Sequence, residues 1–215
     1  MHRLPPAAVL FVGLAACSSA PKPDPEAFRA ATLAQSGLIL AKAREQRDKE
    51  GCAAAAPSLR VVAAMGDGQE AAQHELGECL IAMTGASETE TALFHEEGLF
   101  WLTRAAYAGN ARAQRALAVQ YGAISGSADR QAEALKWALV YNANPDAKVY
   151  GYKALPETFA PGLMKNLPAD KVAEAEAFAA AFAPIHLAAF EAPAAAAARG
   201  EFRGAPQGGT MRRRR

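Results

Sequence analysis

The sequence predicts an all-α fold: a solenoid of antiparallel helix hairpins with capping helices before and after. Three observations carry this. The chain has 215 residues, 51% hydrophobic, rich in Ala and poor in β-branched types, which favours one helical domain large enough to bury a core. Between Gly98 and Tyr121 two helical patterns meet at a tight corner. That pair then recurs at spacings of 41 and 36 residues. A lone helix pair cannot bury its apolar face, whereas stacked copies bury it against each other.

The corner shows why these residues form this unit. Phe94, Trp101, Ala105 and Ala108 recur at seven-, four- and three-residue steps and share one helix face. Gly109 can take the left-handed conformation that ends a helix, and Asn110 follows as an N-cap. Ala113, Leu117 and Tyr121 then form the apolar stripe of the next helix. The matching residues lie on either side. Ala72-Gln73 with Leu76-Gly77 precedes Ala113-Gln114 with Leu117-Ala118 by 41 residues, as Gly68 precedes Gly109. Gly98 to Trp101 precedes Ala134 to Trp137 by 36. The difference of five predicts a small insertion in the loop around Thr84 to Thr91. Both tryptophans are expected to fill seams between successive hairpins and to be largely buried.

Together these residues resemble the Sel1-like repeat family, relatives of the tetratricopeptide repeats, from about Pro57 to Pro145. The first helices carry Ala72, Leu76 and Gly77, then Ala113 and Leu117; the second carry Trp101, Ala105 and Gly109, then Ala134 and Trp137. Leu80 stands where the family usually has Tyr, and the loops lack its Gly-x-Gly-Val string. The resemblance implies a right-handed superhelix whose concave surface binds a protein. It also implies a scaffold or adaptor role, sometimes in polysaccharide export. Some cysteine-rich members are linked to penicillin binding, which implies an alternative: a cell-wall-associated protein binding peptidoglycan or a β-lactam.

The remaining segments follow in order. Residues 1–16 read as a signal peptide: His2-Arg3, then an apolar run from Leu4 to Gly13 too short to span a bilayer. Leu14-Ala15-Ala16-Cys17 resembles a bacterial lipobox, so Cys17 is expected to carry a lipid anchor. Ser18-Ser19 after it favours the outer membrane, with the protein facing the periplasm. Residues 17–25 hold three prolines and form a tether, and the helical repeat domain runs over 26–192. In it, Glu26 to Glu50 forms a first helix carrying Phe28, Leu33, Leu38 and Leu40 and a solvated charged end from Lys42. A short helix follows from Pro57 to Met65.

The clearest repeats are 66–109 and 110–145, with helix caps at Asp67-x-x-Glu70 and Ser87-x-x-Glu90. Asn144-Pro145 ends the second repeat, Pro156 and Pro161 interrupt short helical pieces, and Leu167-Pro168 opens a last amphipathic helix through Phe178 and Phe182. Residues 193–215 form an Ala-, Gly- and Arg-rich tail predicted to be disordered. Its end, Arg212 to Arg215, suits anionic headgroups or a wall polymer, or is simply solvated.

Motifs of chemistry are weak. His74-Glu75-Leu76-Gly77-Glu78 lacks the second histidine of a zinc helix, so no metal is expected. Ser19 and Lys22 match a penicillin-recognising spacing inside the tether, and Gly122 to Gly126 is not a nucleophile elbow. No phosphate loop or dinucleotide fingerprint appears, so the reading is a non-enzyme without cofactors. Net charge of +1 argues against nucleic acid. The expected partners are an envelope protein and, through the anchor, the membrane. Cys52 and Cys79 are the cysteines left after lipidation; in an oxidising compartment they form a disulfide, or they stand as two separate thiols.

Overall fold

The computed structural model describes residues 25–185, and among these it contains nine helices and no strand. α1 spans Pro25–Glu50, α2 Cys52–Ala63, α3 Glu70–Ala82 and α4 Glu88–Tyr107. α5 spans Ala111–Gly122, α6 Ala128–Ala143, α7 Pro145–Val149, α8 Phe159–Asn166 and α9 Ala169–Ala181. Packing follows chain order from α1 to α6, each helix lying against the next, and α8 and α9 then both lie against α6.

Local chemistry sets the helix ends. Gly109 takes φ +94°, and the amides of Asn110 and Gly109 donate to the carbonyls of Ala105 and Ala106, each at 3.0 Å. That crossed pair closes α4. The Asn110 side chain accepts from the Ala113 amide at 3.0 Å and opens α5. Ser87 and Ser127 open α4 and α6 in the same way, accepting from the amides of Glu90 and Arg130. The cap expected at Asp67 is replaced. Positive φ at Gly66 and Gly68 carries the chain past it, Gln69 becomes the N-cap, and Glu70 accepts from the Gly68 amide.

Equivalent positions of α3 and α5 agree in side-chain detail. Ala72 and Ala113 are fully buried, as are Leu76 and Leu117. Gln73 and Gln114 are buried too, and each side-chain amide donates back to the end of the preceding helix. Gln73 reaches the Ala63 carbonyl at 3.1 Å, and Gln114 reaches that of Ala106 at 3.1 Å. The five extra residues are not in the loop, since five residues separate α3 from α4 and five separate α5 from α6. They are absorbed as helix instead: α4 has 20 residues against 16 in α6, and α3 has 13 against 12 in α5. A turn added to a helix end keeps every backbone bond inside the helix, whereas a loop would need new partners for them.

The α3–α4 hairpin closes on two glycines. A Cβ at Gly77 would lie 2.7 Å from Leu102 Cγ and 2.9 Å from the Gly98 carbonyl oxygen, and one at Gly98 would lie 2.8 Å from that of Gly77. Backbone meets backbone there. Gly77→Ala is therefore expected to destabilise, because overpacking of about 1–3 kcal/mol outweighs the roughly 1 kcal/mol that Ala gains in helix propensity. A denaturation midpoint raised by Gly77→Ala would refute this close approach. At the matching positions α5 and α6 carry Ala118 and Ala134, both fully buried.

Other expectations change. α2 begins at Cys52 and includes Pro57 inside it, on its exposed side, where the proline has no N–H to give the helix ladder. Pro161 lies in the first turn of α8 rather than interrupting it. Leu38 is 76% exposed and Leu33 40%; α1 packs through Ser36 and Ala43, with Ile39 and Leu40 partly covered. The charged end of α1 is not simply solvated, as its ion pairs show below.

Two hydrophobic cores result. One gathers α1, α2 and α3 around Leu59, Val62, Leu76 and Leu80, with Phe94 and Trp101 at its edge. The other runs from α4 to α9 around Leu102, Leu117, Leu135 and Trp137.

Candidate functional site

Most predicted residues belong to the framework. Ala72, Leu76, Gly77, Ala105, Ala113, Leu117 and Trp137 are buried, and Gly109 forms the α4–α5 corner. Trp101 is partly buried at the edge of the first core, less enclosed than Trp137. Its indole Nε1 donates to Glu97 Oε1 at 3.2 Å, and Glu97 also takes a two-pronged ion pair from Arg60 of α2, at 2.8 and 2.7 Å. Hydrogen bonding from Arg60 holds the Glu97 carboxyl below its ordinary range, against the opposing effect of partial burial. Cys52 and Cys79 are joined by a disulfide that ties the start of α2 to α3. Cys17, its lipid, and the Arg212 to Arg215 run lie outside the described residues.

The polar residues brought together lie where α1, α3 and α5 approach. Glu75 of α3 is 3% exposed and receives both Arg44 Nη2 at 2.6 Å and Arg47 Nη1 at 3.1 Å from α1. A carboxylate this buried is tolerable because two guanidiniums meet it. The Arg44 guanidinium is raised further above its ordinary value, chiefly by its hydrogen bonds to Glu75. One turn later, Glu78 lies 3.3 Å from His74 Nε2 and is held below the usual glutamate range, first by that imidazole and more weakly by Arg112 of α5 and Arg47 of α1. Between α3 and α5 lies a cleft of about 250 Å3, lined by Ile81, Leu102, Ala116 and Val119, with Glu78 and Arg115 among its polar walls.

This cluster escaped sequence reasoning. The pairing of Arg44 and Arg47 with Glu75 spans 31 and 28 residues, and no local pattern signals it. His74 is buried as well, and its Nδ1 has no hydrogen-bond partner. Among the described residues no three His, Cys, Asp or Glu side chains gather as metal ligands. No described helix is long and apolar enough to cross a membrane.

A second surface feature stands at the loop after α7. Gly151 at φ +62° closes that helix through bonds from Gly151 to Lys148 and from Tyr152 to Ala147. The closed turn holds Tyr150 65% exposed, its ring stacked on Tyr152 with centroids 5.7 Å apart. The chain matches no protein-family model, no curated protein and no solved structure.

Proposed function

We propose that this chain is a lipid-anchored protein of the bacterial envelope, probing the periplasm with a right-handed solenoid of Sel1-like hairpins that binds a protein partner. In this reading the hairpins are α1–α2, α3–α4 and α5–α6, with α8 and α9 covering the last. The first helix of each hairpin lines the concave surface. The observation that carries it is the agreement of α3 with α5 in buried alanines, buried leucines and back-donating glutamines, next to a face rich in arginine and glutamate. Repeated hairpins present an extended surface, and charges on it give a partner its register. The role is that of a non-catalytic adaptor without a cofactor. The lipid on Cys17 of a mature chain, most simply in the outer membrane, would hold that surface near its partners.

A second reading is favoured by the exposed Tyr150 ring, which offers a flat face of the kind that stacks on a pyranose of peptidoglycan or an exported polysaccharide. Photo-cross-linkers placed at Val119 on the proposed concave side and at Leu93 on α4 separate the two in intact cells. A discrete protein adduct from Val119 alone supports the adaptor. Adducts from both positions alike, or retention of the protein on isolated sacculi that Tyr150→Ala abolishes, would overturn it in favour of the wall.

A further inference from the structure

We propose that Arg112 and Arg115 of α5 hold a carboxylate of an acidic peptide segment, whose neighbouring apolar side chain enters the cleft between α3 and α5. The inference rests on the concave-surface reading and names the chemistry of the partner.

Both arginines are poorly explained by folding alone. Arg112 occupies the second position of α5, where the free amides already make the helix end positive, so a cation there opposes the dipole. α3, α4 and α6 each place an acidic residue in that first turn, and α5 has none. Arg115, one turn further, has its Nε closed off from solvent with no acceptor. A buried donor left unpaired is costly, and it becomes favourable as soon as an anion arrives.

The acids within reach are already engaged. Glu75 is held by Arg44 and Arg47 together, and Glu78 leans on His74. Tyr141, which also faces Arg115, donates its hydroxyl to the Lys153 carbonyl at 2.9 Å. Four guanidiniums, Arg44, Arg47, Arg112 and Arg115, therefore meet the three carboxylates of Asp48, Glu75 and Glu78 on this face, leaving one positive charge unmatched beside an apolar cleft. Val119, exposed at its wall, offers that side chain an apolar contact. A bare anion would use the arginines and leave the cleft empty; an acidic peptide with interspersed apolar residues uses both.

The test uses protein from Ser18 onward, which keeps every described residue, and two fluorescein-labelled nonapeptides, one alternating Glu with Leu and one alternating Gln with Leu. Anisotropy should show the Glu peptide binding at least about tenfold more tightly, and its affinity should fall as salt rises. Arg115→Gln and Arg112→Gln should each weaken the Glu peptide by about tenfold and leave the Gln peptide unchanged, as loss of a charge-assisted bond implies. Arg115→Met should keep or raise the thermal midpoint, because no internal bond is lost. Equal affinity for both peptides, no binding of either, or a lowered midpoint in Arg115→Met would overturn the inference. Equal affinity with displacement by a bulky side chain at Val119 would leave the concave-surface reading standing; polygalacturonate binding through Arg115 in place of the peptide would remove both.

Discussion

Trp137→Ala is expected to lower stability by about 3–5 kcal/mol, a large fraction of what a domain of this size has. The indole is 1% exposed and sits in an aromatic cluster built by three elements. Tyr107 of α4 meets it edge-on at 5.0 Å, and Phe178 and Phe182, on and just after α9, lie at 5.8 and 6.1 Å. No neighbour is free to fill the space the ring would leave. Trp101→Ala should cost less, about 1–2 kcal/mol, because no element covers Trp101 as α9 covers Trp137. Tyr150→Ala should change stability by no more than about 0.5 kcal/mol, as for other surface substitutions. Chemical denaturation of the three variants decides the matter. Equal losses at the two tryptophans would mean that α9 does not bear on the second core in solution.

Reduction of the Cys52–Cys79 disulfide should cost about 3 kcal/mol, because the bond closes a loop with a sequence separation of 27 and restricts the unfolded chain. Comparing denaturation with and without dithiothreitol measures this without introducing a hydroxyl at Cys79, which is buried in the first core. Double replacement by Ala checks the result, since it removes the bond and leaves no polar atom behind. A midpoint indifferent to reductant would show that the hairpins hold α2 to α3 unaided.

Much of the helical plan was legible because it rests on local rules. The corner at Gly109-Asn110 is a sequence of two residues with one job each, and the alanine and leucine stripes follow the period of a helix. What stayed hidden depends on partners far along the chain. Trp101 and Trp137 look alike in sequence, yet only one meets Phe178 and Phe182 some forty residues later. Asp67 looked like a cap until the two glycines around it redirected the backbone. The α1–α3–α5 cluster was the least visible part. Helix periodicity says which side of α3 is apolar, but not that Glu75 would be buried and met by two arginines from another helix.

The division into two cores has a consequence for how the molecule opens. The first core is made by α1, α2 and α3 and cross-linked; the second depends on α9 returning to cover α6. They meet along α4, so they need not come apart in one step. Amide protons of α5, α6 and α9 should exchange through an opening that leaves α2 and α3 protected, and reductant should remove that protection from α2 and α3 alone. The chain would then behave as two cooperative units in series, with α4 as the element that belongs to both.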